Sequence, residues 1–139
     1  MTARDLMTVN PVTATPEATT AEVWDLMREA DIRHIPVVQD GALIGMVSDR
    51  DLGHLNVGRL LTVEGAEALR RELATPIVEV MNSDVIFVEL ETELSDVVDL
   101  LLENKIGALP VIRPDTREVE GIVSYIDVLR ALQGLLAAE

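Results

Sequence analysis

A serine followed three residues later by an aspartate occurs at two places in this chain where a helix is predicted to begin. Ser48 and Asp51 lie in GMVSDRDL, and Ser124 and Asp127 lie in GIVSYIDV. At a helix start such a pair forms a capping box, in which each side chain accepts from the other residue's backbone N–H, and no ligand is needed. The same position offers free N–H groups to an anion, and an aspartate can accept from both hydroxyls of a ribose. Capping and ligand binding are compatible, so the spacing alone leaves both roles open.

The two serine–aspartate pairs are predicted to belong to two copies of one structural unit. A single shift along the chain aligns Met7 with Met81, Glu17 with Glu91, Glu29 with Glu103, Ile32 with Ile106 and Pro36 with Pro110. A longer loop, RPDTREVEG, interrupts the match in the second copy, after which Gly45 aligns with Gly121 and the two pairs coincide. One slip inside a loop is typical of a tandem duplication.

Each copy has the pattern of a β-α-β-β-α unit. The extended pieces PVTAT and VIFVEL open the copies, and apolar residues at helical spacing follow them. Thr19 and Glu22 are predicted to form a capping box on the first of these helices. The segments HIPVVQ and ALIGMVS are joined by Asp40-Gly41, which favours a hairpin turn, and ALPVI and VEGIVS are their counterparts. The segments DRDLGHL and YIDVLRALQGLL are predicted to form the closing helices.

These patterns predict a mixed α and β (α+β) fold, in which two β-α-β-β-α repeats pack as a pseudo-two-fold pair. The first repeat is assigned to residues 1–56 and the second to residues 76–139. Between them, residues 57–75 are predicted to form a linker helix that is capped by Thr62 and ended by Thr75-Pro76. Because one repeat of this size is marginal alone, the two are expected to share a core.

The composition narrows the class of protein. The chain has 139 residues, no cysteine, and a formal net charge of −14 from 25 acidic and 11 basic residues. This charge disfavours nonspecific nucleic-acid binding, which needs clustered lysine and arginine. No apolar run approaches the ~20 residues of a membrane span and no signal-peptide core is present, so we expect a soluble, cytoplasmic protein with no membrane partner. No catalytic motif is present and no spacing marks a metal site, so we expect a protein that is not an enzyme.

Two stretches of the chain carry a resemblance to a known family. IRHIPVVQDGALIGMVSDRDL and IGALPVIRPDTREVEGIVSYIDV each contain an apolar-Pro-Val strand and then Gly-apolar-Val-Ser-x-x-Asp. With both stretches, the chain resembles a tandem pair of CBS domains, the Bateman module named after cystathionine β-synthase, and in particular the stand-alone CBS domain-containing proteins. The resemblance implies a regulatory, energy-sensing module that binds AMP, ADP, ATP or S-adenosylmethionine in the cleft between its repeats. It also implies a homodimer, no required cofactor, and a conformational signal to a regulated partner protein.

The resemblance assigns candidate site residues. The two aspartates would bind ribose, and the two serines would lie near the phosphate. The first ligand-binding site comprises Ser48, Asp51, Arg33, His34, Met46 and Ile106, and the second comprises Ser124, Asp127, Ile122 and Ile32. Each site is thereby expected to borrow an isoleucine from the opposite repeat.

A difference in charge separates the two predicted sites. Arg33 and His34 precede the strand proline in the first copy, and Gly107 and Ala108 hold these places in the second. In the family members that hold nucleotides, basic residues at these positions contact phosphate, and the arginine fork suits phosphate oxygens. We therefore expect a phosphorylated ligand at the first site and only a nucleoside, or no ligand, at the second. A surface ion pair for Arg33 and a polar strand-edge position for His34 are the structural alternatives.

Two other functions fit the same sequence: a ligand-free dimerisation scaffold, and a sensor of another small ligand or a divalent metal ion. Trp24 lies beside the apolar stripe of its helix, so it is interpreted either as a subunit contact or as the edge of a wide core-facing stripe. Tyr125 either stacks on a ligand or obstructs its entry, and Arg50 faces either a phosphate or solvent.

Overall fold

The structure, a computed structural model, describes residues 1–53 and 57–138. In chain order its helices and strands are α1 (Ala3–Leu6), β1 (Thr8–Val9), α2 (Thr20–Ala30), β2 (His34–Gln39), β3 (Ala42–Ser48), α3 (Val63–Leu73), β4 (Val88–Glu89), α4 (Leu94–Asn104), β5 (Ala108–Ile112), β6 (Val119–Ser124) and α5 (Tyr125–Ala137). The predicted mixed α and β fold class is confirmed. Within the described residues, no helix is long and apolar enough to span a bilayer.

The chain divides into two compact units, and each takes residues from both sequence repeats. The N-terminal unit consists of Val12–Asp40 and Ile44–Val85, and the C-terminal unit consists of Met1–Pro11, Gly41–Leu43 and Ile86–Glu139. These are units of packing, and they do not test the repeat boundaries predicted at residues 1–56, 57–75 and 76–139.

The N-terminal unit is built on helix α2 and the hairpin of β2 and β3. The predicted capping box starts α2: the Thr19 hydroxyl accepts from the N–H of Glu22, and the Glu22 carboxylate accepts from the N–H of Thr19. The hairpin turns at Asp40 and Gly41, whose φ angles of 54° and 82° are both positive, as a two-residue hairpin turn of this kind requires. Both predicted strands begin and end where the sequence placed them.

One predicted helix of the N-terminal unit is wrong in its described part. The segment DRDLGHL forms only a 3-10 helix over Asp49–Leu52, closed by a hydrogen bond from the Gly53 N–H to the Arg50 carbonyl. Glycine has a low helix propensity, which accounts for the end of the helix at this position. The rest of the segment, with His54, lies outside the described residues.

The linker segment contains a shorter α-helix than predicted. A 3-10 helix covers Val57–Leu61, and α3 follows with the Thr62 hydroxyl accepting from the N–H of Gly65 at 2.9 Å. The cap predicted at Thr62 is therefore confirmed. The segment then passes through a 3-10 helix at Ile77–Glu79.

The C-terminal unit contains a four-stranded sheet in the order β1-β6-β5-β4. Strands β5 and β6 are antiparallel, as predicted, and β1 pairs antiparallel with β6, while β4 pairs parallel with β5. The extended piece VIFVEL contributes only Val88–Glu89 to the sheet. Its counterpart PVTAT forms no regular strand in the N-terminal unit, and only a parallel bridge joins Ala14 to Val37.

Each unit has an aliphatic core, as expected for a chain with one Phe, one Tyr and one Trp. The core of the N-terminal unit consists of Ala14, Val23, Met27, Ile35, Val37, Val47, Leu52 and Ile77. The core of the C-terminal unit consists of Ala3, Leu6, Val88, Val97, Leu101, Leu109, Val111 and Val123. Full burial of each valine, leucine, isoleucine or methionine side chain in these cores contributes about 1.5–3 kcal/mol. Trp24 packs partly buried against the first of these cores.

A methionine lies over the glycine at the middle of the third strand of each repeat. In the N-terminal unit the Met81 side chain lies against Gly45, and in the C-terminal unit the Met7 side chain lies against Gly121. The opening segment of each sequence repeat thus packs in the unit that holds the strands of the other repeat. The absence of a Cβ at the two glycines makes room for this contact.

Helix α5 presents an apolar surface. None of its residues is buried, and its exposed large apolar side chains are Tyr125, Ile126, Leu129, Leu132, Leu135 and Leu136. Four of them, from Tyr125 through Leu129 and Leu132 to Leu136, are spaced by four, three and four residues, which places them on one stripe. We refer to these four residues as the α5 stripe.

Candidate functional site

The two serine–aspartate pairs both form capping interactions. Ser48 is the last residue of β3, and the Oδ2 atom of Asp51 accepts from the Ser48 N–H at 2.8 Å and from the Ser48 hydroxyl at 3.2 Å. Ser124 is the last residue of β6, and the Oδ2 atom of Asp127 accepts from the Ser124 N–H at 2.8 Å and from its hydroxyl at 3.1 Å. The Asp127 N–H also donates to the Ser124 hydroxyl at 3.2 Å. The predicted capping role is confirmed at both positions.

Capping occupies only one oxygen of each carboxylate. Within residues 1–53 and 57–138, the hydrogen bonds that the carboxylates of Asp51 and Asp127 accept all involve Oδ2, and no donor reaches Oδ1. Both aspartates are half-buried and lie where a strand passes into a helix. Each therefore holds a fixed, partly desolvated carboxylate with one oxygen left to accept from a hydroxyl group. The cap orients the carboxylate and leaves it able to bind.

Charged side chains gather around the first pair. The Arg33 carbonyl accepts from the Asp49 N–H at 2.9 Å, so the start of β2 lies beside the 3-10 helix that carries Asp51. His34 is half-buried at this point, and burial lowers the pKa of His34 below its usual value of 6.5. The negative charges of Asp49 and Asp51 oppose this shift, and the positive charges of Arg33 and Arg50 add to it. The structure thus brings Arg33, His34 and the first pair together.

The second pair has the same backbone arrangement without the charges. The Gly107 carbonyl accepts from the Tyr125 N–H at 3.0 Å, as the Arg33 carbonyl does from Asp49 in the first repeat. Ala108 is buried and lies opposite Ser124 in the pairing of β5 with β6. Tyr125 is 48% exposed, and it stands at the sequence position that Asp49 holds in the first repeat.

The apolar candidates take up different positions. Met46 is buried, and its backbone exchanges two hydrogen bonds with Asn82, of 3.0 and 2.9 Å. Ile122 is half-buried on β6. Ile32 and Ile106 each pack partly buried against the core of their own unit. Their predicted role of lining the site of the opposite repeat stays a prediction.

Two residues beside the pairs were not selected from the sequence as part of a site. Asp49 and Asn82 lie next to His34 and Met46 respectively. Asp49 directly follows Ser48, which was the only sequence signal for it, and nothing in the sequence linked Asn82 to β3. In the described part of the chain, no three acidic or histidine side chains cluster closely enough to hold a metal ion.

Known proteins are similar to this chain in sequence and in fold. The family model described as CBS domain matches residues 3–54 and 77–134. The CBS domain-containing protein YhcV of Bacillus subtilis (strain 168) is 31% identical over 125 residues, which cover 90% of this chain and 81% of YhcV. The crystal structure of CBSX2 in complex with AMP is similar with a TM-score of 0.80 and 28% identity, over 96% of this chain and 97% of CBSX2.

A third similar structure contains two other adenosine compounds. The CBS domain pair of protein MJ0100, in complex with 5′-methylthioadenosine and S-adenosyl-L-methionine, has a TM-score of 0.76 and 25% identity. The match covers 96% of this chain and 97% of that pair. The resemblance inferred from the sequence is confirmed, and since the family match includes both repeats, the chain belongs to the CBS domain family as a tandem pair of CBS domains.

Proposed function

We propose that this protein is a regulatory module that binds adenosine-containing ligands between its two CBS repeats and signals the binding to a partner protein. The proposal rests on one observation: the carboxylates of Asp51 and Asp127 are each fixed through Oδ2, which leaves Oδ1 to accept from a ribose hydroxyl. The ligands of CBSX2 and of the MJ0100 pair, which are AMP, 5′-methylthioadenosine and S-adenosyl-L-methionine, support an adenosine compound here. The proposed role is regulatory, with no catalytic step.

At the first site, the ligand would be phosphorylated. Asp51 would accept from the ribose, and Ser48 would lie near the phosphate. Arg33 is exposed and carries five N–H donors, so it would neutralise the phosphate charge. His34 would add a donor that strengthens when it is protonated. AMP, ADP and ATP fit these residues, while S-adenosylmethionine would place its cationic sulfonium near the arginine.

The base would lie against apolar residues. Met46 and Ile106 are proposed to line the first site, and Ile122 and Ile32 the second. A ligand that touches residues of both repeats would favour one arrangement of them over another, and this differential affinity is what shifts a conformational equilibrium. Because such ligands are cytoplasmic metabolites, the protein is proposed to act in the cytoplasm.

The partner of α5 is proposed to be the same helix in a second copy of the chain. The α5 stripe has the four-three spacing of a helix pair, and its members are between 48% and 59% exposed. It begins at Tyr125, directly after Ser124, so a ligand at the second site would lie near the dimer contact. The regulated protein would read the change in this dimer.

Calorimetric titration tests the ligand proposal. We expect AMP or another adenine nucleotide to bind the purified protein, and we expect Asp51→Asn to weaken that binding by about 10- to 100-fold, as the loss of a charged hydrogen-bond acceptor implies. Asparagine still offers an oxygen to the Ser48 N–H, so the capping interaction is kept. Asp127→Asn is the matched control, and it should leave nucleotide affinity at the first site within about twofold.

The outcome also separates the competing functions. If AMP, ADP, ATP and S-adenosylmethionine all fail to bind, the ligand proposal is wrong, and the α5 stripe then favours the dimerisation scaffold. A divalent ion that binds in the absence of any nucleoside would instead favour the metal-sensor alternative.

A further inference from the structure

We propose that the second site, at Ser124 and Asp127, selects a nucleoside whose 5′ end carries no charge, such as adenosine or a 5′-thioether of adenosine. The inference rests on the proposed function, because it names the ligand class of one of the two proposed sites. It rests on a comparison of the residues that hold equivalent positions around the serine–aspartate pair in the two repeats.

The backbone of the two sites is equivalent. In each repeat, the residue after the serine donates its N–H to the carbonyl of the residue directly before the first hairpin strand. Asp49 donates to Arg33 at 2.9 Å, and Tyr125 donates to Gly107 at 3.0 Å. The serine–aspartate hydrogen bonds also agree, with N–H to Oδ2 distances of 2.8 Å at both sites. A ribose held by the aspartate would therefore direct its 5′ end toward corresponding residues.

Those corresponding residues differ completely in charge. The four positions around the first pair are Arg33, His34, Asp49 and Arg50, and those around the second are Gly107, Ala108, Tyr125 and Ile126. Arg33 and His34 are adjacent in the chain, as are Asp49 and Arg50, and the hydrogen bond from the Asp49 N–H to the Arg33 carbonyl holds the two segments together. At the second site, the four ionisable residues are replaced by a glycine, an alanine, a tyrosine and an isoleucine, none of which is a basic or acidic residue.

This replacement makes a phosphate unfavourable at the second site. A phosphate that leaves water needs a positive partner or several hydrogen-bond donors, and the four residues of the second site provide no cation. The net charge of −14 adds repulsion rather than attraction. By contrast, a 5′-hydroxyl or methylthio group is uncharged, and Tyr125 and Ile126 leave 48% and 41% of their surface exposed for contact with it.

The test exposes binding at the second site by weakening the first. In the Asp51→Asn protein, adenosine, 5′-methylthioadenosine and AMP are titrated separately by calorimetry. We expect at least one of the two uncharged nucleosides to bind on the order of tenfold or more tightly than AMP. Adding Asp127→Asn to this protein should weaken the binding of that nucleoside by about 10- to 100-fold.

A reciprocal change strengthens the test. Ile126→Arg, in the Asp51→Asn protein, restores the cation that Arg50 provides in the first repeat, and Gly107→Arg restores the one that Arg33 provides. Either folded variant should bind AMP several-fold more tightly than its parent. Thermal unfolding of each variant identifies those that retain the native fold.

The possible results are distinct. If Asp51→Asn binds AMP as tightly as the uncharged nucleosides, or binds none of the three while the original protein binds AMP, the inference is overturned and the proposed function stands. If the original protein binds no adenosine compound, the proposed function itself fails.

Discussion

At the residue scale, the capping role and the proposed binding role of each aspartate use different oxygens of one carboxylate. Oδ2 of Asp51 accepts the Ser48 N–H, as a helix cap requires, and this fixes the direction of Oδ1. The sequence alone left both roles open and compatible, because the spacing that serves one serves the other. The structure adds that, within the described residues, capping occupies only the Oδ2 atom of each carboxylate.

His34 provides a prediction on pH. Burial holds its pKa below 6.5, while the nearby charges of Asp49, Asp51, Arg33 and Arg50 act in both directions. At pH values between the lowered pKa of His34 in the folded state and its pKa of about 6.5 in the unfolded state, the unfolded chain binds more protons than the folded one. The contribution of His34 to stability is therefore present above about pH 6.5 and is lost as the pH falls below this value. We expect the decrease in unfolding free energy between about pH 7.5 and about pH 5.5 to be smaller in His34→Gln than in the original protein.

Urea unfolding at a series of pH values measures this difference. The two proteins differ only at position 34, so the contributions of the other ionisable groups are common to the two curves. Parallel curves for the two proteins would show that the imidazole is not desolvated in the folded state.

At the scale of elements, each hairpin depends on a glycine that admits a methionine side chain. The two positions are equivalent in sequence, but their surroundings are not. A Cβ at Gly121 would lie 2.8 Å from the backbone oxygen of Thr8, besides its contact with Met7, while the three atoms nearest to a Cβ at Gly45 all belong to the side chain of Met81. A side chain can rotate away, whereas the Thr8 carbonyl is held in the pairing of β1 with β6.

The matched substitutions Gly121→Ala and Gly45→Ala test this difference. We expect Gly121→Ala to lower the free energy of unfolding by about 1–3 kcal/mol, because the strand pairing must shift, and Gly45→Ala to cost clearly less. Gly134→Ala, in the middle of α5, is the opposite control: no heavy atom of the described residues lies within 4 Å of its added Cβ, and alanine should stabilise the helix by about 0.5–1 kcal/mol. Urea unfolding measures all three, and an equal cost at both hairpin glycines would contradict the assignment.

At the scale of the whole molecule, the exposed face of α5 is the feature that most needs a partner. Contiguous apolar side chains on a soluble protein mark interaction surfaces. Trp24, which the sequence left between a core and a subunit role, packs partly buried against the core of the N-terminal unit. The α5 stripe is therefore the stronger candidate for the proposed dimer contact.

Substitution of one stripe leucine tests the dimer. We expect the protein to sediment as a dimer at micromolar concentration, and we expect Leu132→Glu to weaken the dimer by at least about 100-fold, because the charge would be buried against the apolar stripe of the partner. Leu102→Glu is the control, since Leu102 is 70% exposed on α4 and lies outside the stripe. A monomer for the original protein, or an equal effect of both substitutions, would rule out α5 as the contact.

The sequence by itself determined the features that depend on neighbours in the chain. The four hairpin strands, the Asp40-Gly41 turn, the caps at Thr19 and Thr62 and the two serine–aspartate pairs follow from spacings of a few residues, because side-chain periodicity and capping are local interactions. The repeat was visible for the same reason, since it preserves those spacings twice.

Only the tertiary structure decided what depends on residues distant in the chain. It brought Met7 onto Gly121, left the α5 stripe uncovered, and placed the N–H of Asp49 against the carbonyl of Arg33. A single sequence carries no periodic signal for contacts between residues tens of positions apart. Nor does it show which side chains stay exposed once those contacts have formed, because many arrangements of the same elements satisfy the same local pattern.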